Sequence, residues 1–205
     1  HMHCLTGESF TVVGPDADTS PQRRQNIIMA TPGHGDTLEA LGALIRHAAV
    51  NTDQQSITFV DSRKQVEYVA AIAARQPNEE TDVEGRENDL FDDLRNVAVF
   101  PYRSGYEPED RNEIQAALAG GRLRGVVSTS ALEMGVDLPL LSLGILFGVP
   151  RSATSYFQRI GRIGRRIDGT IIIVNNGSVN TEMVFERPER LSELPLTQST
   201  LYLQN

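Results

Sequence analysis

Residues 158–166 read Gln158-Arg159-Ile160-Gly161-Arg162-Ile163-Gly164-Arg165-Arg166. Four arginines fall within eight residues, interleaved with two glycines. Arginine suits phosphate because its planar fork makes paired, charge-assisted hydrogen bonds. If the stretch is helical, Arg162 and Arg165 are three positions apart and share a face. Gly161 and Gly164 would leave the backbone beside them bare, so that another surface could approach closely. A plain surface helix would lose roughly 1 kcal/mol for each interior glycine, which favours a special role over a solvated basic helix end.

The surrounding sequence alternates β-branched runs with amphipathic helical patterns. It therefore reads as one α/β domain with a mostly parallel sheet flanked by helices. Strands are expected at Ser9–Val13, Asn26–Thr31, Ser56–Val60, Val97–Tyr102, Gly125–Thr129, Leu143–Phe147 and Thr170–Val174. Helices are expected after Asp36, after Asp61 or Ser62, from Pro108 to Gly120-Gly121, and from Ser152 to about Ile163. Beyond Gly177 the pattern weakens.

Three further stretches place polar chemistry at strand ends. In Ile57-Thr58-Phe59-Val60-Asp61-Ser62-Arg63-Lys64-Gln65-Val66-Glu67, an apolar strand delivers Ser62 and Arg63 to a helix start, where free amides favour an anion. In Tyr102-Arg103-Ser104-Gly105-Tyr106, Arg103, Ser104 and Gly105 leave a strand just before a proline-started helix. In Val127-Ser128-Thr129-Ser130-Ala131-Leu132-Glu133-Met134-Gly135-Val136-Asp137, a strand ends in three hydroxyl residues followed by Gly135 and Asp137. Open α/β sheets bind ligands at such carboxyl ends, and hydroxyls are ordinary phosphate contacts.

Composition excludes several classes. The net charge of -8 argues against a whole-surface grip on nucleic acid, so phosphate contacts must be local. Residues 79–93 hold eight acids and one arginine, read as a solvated acidic segment. The single cysteine, Cys4, rules out an internal disulfide framework or a cysteine-rich zinc site, and the expected setting is cytoplasmic. No apolar run approaches the ~20 residues of a membrane span. The only lysine, Lys64, follows Arg63, so no G-x-x-x-x-G-K-[ST] phosphate loop exists. No acidic box for magnesium and no G-x-S-x-G nucleophile motif are present.

The stretch 158–166 resembles motif VI of superfamily 2 helicases, Q-R-x-G-R-x-G-R, over its full length. Residues 127–139 are similar to motif V, and residues 57–67 to motif IV. The run Y-R-x-G-Y, E-D-R, L-x-x-G-x-L-x-G-V-V-x-T from Tyr102 to Thr129 resembles one branch. That branch holds the bacterial mitomycin-repair helicase, a yeast RecQ-four-like helicase and related phage-defence helicases. Met134 and Ser130 depart mildly from it.

The resemblance implies a RecA-like lobe of the P-loop NTPase type, the second motor lobe of an ATP-dependent DNA helicase. It implies Arg165 as an arginine finger on the γ-phosphate, Arg162 as its partner, and Gln158, Gly135 and Asp137 around the nucleotide. Ser62, Arg63, Arg103, Ser104, Gly105, Ser128, Thr129 and Ser130 would then line the nucleic-acid backbone track. ATP and magnesium would be held mainly by a preceding RecA-like lobe, and this lobe alone would be inactive. No metal site of its own is expected.

The resemblance further implies 3′-to-5′ movement, repair or defence partners, and a zinc-binding domain after the motor. Residues 1–3 read as a cloning scar, 4–176 as the lobe, and 177–205 as an extension toward a further domain. A duplex-DNA translocase lobe and a non-catalytic scaffold remain the alternatives.

Overall fold

The computed structural model describes residues 6–11, 13–17, 19, 23–74, 99–102, 107–132 and 141–196. Among the described residues, six strands form one sheet: β1 (Gln25–Ala30), β2 (Gln55–Phe59), β3 (Val99–Tyr102), β4 (Gly125–Ser128), β5 (Leu141–Phe147) and β6 (Gly169–Val174). Their order is β1-β6-β5-β2-β4-β3, and every pairing is parallel. Among the described residues these helices accompany them: α1 (Thr37–Asn51), α2 (Arg63–Ala74), α3 (Pro108–Ala119), α4 (Ala153–Ile160) and α5 (Val179–Glu186).

Helix starts follow from local chemistry. Asp36 Oδ1 accepts from the amides of Leu38 at 2.7 Å and Glu39 at 3.3 Å, which satisfies donors left open at the start of α1. Ser62 Oγ accepts from Gln65 N, while Gln65 Oε1 accepts from the amides of Asp61 and Ser62. This reciprocal pair opens α2. Pro108 occupies the first turn of α3, and Gly121, at φ +73°, follows its end.

Topology sorts the helices. The connections β1–α1–β2 and β2–α2–β3 advance along the sheet in one direction. Those through α3 and α4 run in the other direction. Right-handed crossovers then put α1 and α2 on one face and α3 and α4 on the opposite face. Helices α1 and α2 pack together, with Gly42 of α1 against Ile72 of α2. The chain turns to opposite faces after the neighbouring strands β2 and β5, which makes their carboxyl ends a switch point.

The middle of the sheet is buried. Every residue of β5 is buried, as is every residue of β2. Burial along the whole strand is what a central strand of a parallel sheet covered on both faces requires. β1 is an edge strand, and Ile27 and Ile28 are 46% and 48% exposed.

Four features differ from the expected pattern. Residues 9–11 form no strand; they are exposed and have no ladder to join. The helix carrying the arginines stops at Ile160, not Ile163. Gly161 ends it, and residues 161–167 form turns and bends. Arg162 and Arg165 therefore sit on a loop, not on one helix face. Finally, residues 179–186 are a regular helix capped by Ser178, whose side chain accepts from Thr181 N.

Candidate functional site

The arginine-rich loop, residues 161–168, begins where α4 ends and returns the chain to β6. It lies at the amino edge of the sheet. Gly164 N donates to the carbonyl of Leu141, the first residue of β5, at 2.8 Å. Gly169 N, opening β6, donates to Arg24 O at 2.9 Å, and Asp168 Oδ1 accepts from Arg24 N at 3.2 Å. The side-chain amide of Gln25 donates to Ile163 O at 2.8 Å and to Ile160 O at 3.2 Å.

Ile163 itself is 1% exposed and sits over Gly144 of β5, where a Cβ would come within 2.7 Å of it. Gly164 has φ +72°, and a Cβ there would lie 3.0 Å from Gly169 N. Within this chain the glycine serves packing inside the loop and a left-handed backbone.

This anchoring holds Arg162 half-buried and Arg165 exposed. The Nε of Arg165 donates to Gly161 O at 3.0 Å, which fixes the plane of its guanidinium against the end of α4. Gln158 is half-buried on α4. Arg159, given no role by spacing alone, is 8% exposed, and its Cζ lies 5.2 Å from the centroid of the Phe59 ring. A signal for it exists in the sequence: Ala153, Tyr156, Arg159 and Ile160 share one helical stripe, and all four are buried.

The hydroxyl-rich strand end lies at the other edge. Ser128 closes β4 and is fully buried; its Oγ donates to Tyr102 O at 3.1 Å. Ser128 O accepts from Val60 N at 2.9 Å. The side chain of Ser128 therefore ties β4 to β3, and the solvent-facing hydroxyls of the triplet are half-buried Thr129 and exposed Ser130. Ser62 and Arg63 are exposed at the same edge, after β2. The amides of Asp61 and Ser62 are engaged by Gln65, so the anion site expected from open amides is partly filled by the chain itself.

The structure thus brings Ser62, Arg63, Thr129 and Ser130 to one edge and Arg162 and Arg165 to the other. β5, which spans the sheet between them, is seven residues long, or about 20 Å at the usual rise per residue. Arg103, Ser104, Gly105, Gly135 and Asp137 lie outside the described residues, as do the acidic stretch 79–93 and Cys4. Among the described residues, no group of three or more His, Cys, Asp or Glu could hold a metal ion. No helix among them is long and apolar enough to cross a membrane.

Comparison with known proteins gives a consistent picture. The uncharacterized ATP-dependent helicase YprA of Bacillus subtilis is 34% identical over 136 residues, covering 66% of this chain and 16% of that protein. The ATP-dependent helicase HRQ1 of Saccharomyces cerevisiae is 36% identical over 98 residues, covering 47% of this chain and 9% of that protein. The chain therefore spans less than a fifth of the length of either relative.

Among solved structures, the DUF1998 helicase MrfA bound to DNA and AMPPNP superposes with a TM-score of 0.74 at 25% identity. It covers 96% of this chain and 26% of that one. The Escherichia coli DEAD-box protein SrmB superposes with a TM-score of 0.57 at 25% identity, covering 89% of this chain and 93% of that one. The family described as the helicase conserved C-terminal domain matches residues 36–167, well over half of the chain. This chain belongs to the helicase conserved C-terminal domain family.

Proposed function

We propose that this lobe is the second half of an ATP-driven DNA motor. A preceding RecA-like lobe, which would carry the phosphate loop and the magnesium-binding acids, holds most of the nucleotide. Arg165 acts as the finger on the γ-phosphate and Arg162 as its partner. Gln158, Gly135 and Asp137 stand around the nucleotide. Ser62, Arg63, Arg103, Ser104, Gly105, Thr129 and Ser130 touch the backbone of the nucleic acid, with Ser128 supporting the last two from below.

The observation that carries this reading is the arginine loop. Two cationic side chains that suit a transferring phosphoryl group ride on a segment held at its entry, middle and exit. Fixed cations aimed at developing charge need no reorganisation during reaction, the largest single source of catalysis in most enzymes. Relatives named as ATP-dependent helicases, and a similar helicase structure bound to DNA and AMPPNP, support the assignment of substrates. The two-edged layout of polar groups adds to it, because nucleotide and strand then meet different ends of one rigid sheet. Backbone contacts carry no sequence information, so little sequence preference is expected.

The test is ATP hydrolysis by the full-length protein containing this lobe, with single-stranded or duplex DNA added. Stimulation by single strands supports a helicase. Stimulation by duplex alone favours a translocase. No hydrolysis under either condition leaves only the scaffold.

A further inference from the structure

The arginines have been placed on a loop, which raises the question of what aims them. The answer lies 135 residues away in the chain. Gln25 opens β1, the edge strand, paired with Gly169 across the ladder. Its side-chain nitrogen donates to Ile163 O at 2.8 Å and Ile160 O at 3.2 Å. Both partners are carbonyls, which only accept, so the amide must present its NH2 there and not its oxygen.

These two carbonyls are the critical ones. Ile160 is the last residue of α4; its carbonyl has no partner within the helix and accepts from Ile163 N at 3.0 Å as well as from Gln25. Ile163 is the residue between Arg162 and the left-handed Gly164. One carboxamide, with two hydrogens, therefore joins the end of the helix to the middle of the loop. Together with the backbone bonds from Arg162 N to Arg159 O and from Ile163 N to Ile160 O, it holds the angle at which the chain leaves α4, and hence the direction of Arg162 and Arg165. The neighbouring backbone of Arg24 holds the far end of the same loop through Asp168 and Gly169, so the amino end of β1 brackets the whole segment. Side-chain capping by near neighbours would not need a residue so distant in sequence.

We propose that Gln25 is a positioning residue for the arginine pair: its bridging amide holds the loop so that Arg162 and Arg165 meet the phosphates of the nucleotide. This rests on the reading of those arginines given above. Gln25 is exposed apart from this contact, so its replacement should leave the core intact. A misplacement of about 1 Å at a catalytic group can cost on the order of 100-fold in rate. A loop that keeps its backbone anchors should lose less.

The experiment uses the full-length protein and compares wild type, Gln25→Leu, Gln25→Lys and Arg165→Ala. Steady-state ATP hydrolysis with single-stranded DNA gives kcat and KM, nucleotide-free DNA binding gives affinity, and thermal melting gives stability. Gln25→Leu, which keeps the bulk and removes the donors, is expected to lower kcat about tenfold, with DNA affinity within twofold and little change in Tm. Gln25→Lys, which restores donors of similar reach, is expected to recover at least half of the lost rate.

A wild-type kcat in Gln25→Leu, beside an inactive Arg165→Ala, overturns this inference alone. So does a Gln25→Lys variant as slow as Gln25→Leu, or a loss that disappears on assay well below the Tm of the variant. An Arg165→Ala variant that hydrolyses ATP like wild type overturns the finger reading and this inference with it.

Discussion

The guanidinium of Arg159 lies over the face of Phe59, with Cζ 5.2 Å from the ring centroid. Phe59 ends β2 and is fully buried, while Arg159 belongs to α4 on the helix stripe facing the sheet. The contact links the strand that precedes Ser62 and Arg63 to the helix that precedes the arginine loop. A cation stacked on a ring in a desolvated setting contributes up to about 2 kcal/mol. A double-mutant cycle of Phe59→Leu and Arg159→Met, followed by urea denaturation of the 205-residue chain, should give a coupling of about 0.5–2 kcal/mol. Additive losses would show that the stacking contributes nothing of its own.

Ser128 and Ser130 should separate cleanly. The hydroxyl of Ser128 is buried on Tyr102 O, and its loss leaves a buried carbonyl with one partner fewer. Ser128→Ala is expected to cost about 1 kcal/mol of stability and to leave single-stranded DNA affinity within twofold. Ser130→Ala, at an exposed position, is expected to do the reverse, with stability unchanged and affinity reduced. Equal effects of both on DNA binding would show that Ser128 leaves its buried site when the strand binds.

The same pair shows what the chain discloses before folding. Most strand positions and helix starts are legible, because runs such as Leu143–Phe147 and caps such as Asp36 act locally, whereas the strand expected at Ser9–Val13 is not formed at residues 9–11. The family motifs were legible too. The burial of Ser128 was not, because its partner Tyr102 is 26 residues away on a strand whose neighbour cannot be read from periodicity. The end of α4 lies three residues before the one the pattern predicts, for a similar reason. The 3.6-residue pattern continues through Ile163, but that side chain drops into the gap above Gly144 and Gly164 turns left-handed. Gln25 gave no signal at all, since its partners are 135 and 138 residues away. Helix α5 gives little periodic signal, because only Thr181 and Val184 of its eight residues are buried, too few for a stripe.

Tyr156 makes a pH-dependent prediction. Burial raises its phenol pKa above the ordinary value, which is about 10. The folded chain keeps the proton at a pH where the unfolded chain has lost it. The native state then binds more protons, and stability falls as pH rises. The contribution is full below the unfolded value and is lost as pH climbs from there through the folded one. Urea midpoints measured from pH 8 upward should be flat at first and then fall, and Tyr156→Phe should flatten the alkaline part of that fall.

Two glycines with the same backbone angle allow strain and crowding to be told apart. Gly164 and Gly177 both have φ +72°, yet a Cβ at Gly164 would crowd Gly169 at 3.0 Å, while one at Gly177 meets nothing within 4 Å. The left-handed conformation costs an alanine roughly 1–2 kcal/mol at either site. Overpacking adds about 1–3 kcal/mol at Gly164 only. Gly164→Ala should therefore destabilise the chain by at least about 1 kcal/mol more than Gly177→Ala, as read from denaturant midpoints. Equal losses would mean that the loop relaxes freely around the added methyl.

The shape of the Arg165 side chain, and not its charge alone, should matter. Its Nε donates to Gly161 O at 3.0 Å, so the planar group is oriented by the helix end on which it rests. A lysine has no Nε and no fork, and it carries a point charge on a flexible stem. In the full-length protein, Arg165→Ala is expected to lower the kcat of ATP hydrolysis about 10³-fold, with nucleotide-free DNA affinity unchanged. Arg165→Lys should recover little of that loss, although the charge is the same. The neighbouring Arg166, also exposed, is the control, and Arg166→Ala should hydrolyse ATP within a few-fold of wild type. Recovery by lysine would mean that a positive charge near the phosphates suffices, and that the bond to Gly161 orients nothing the reaction uses.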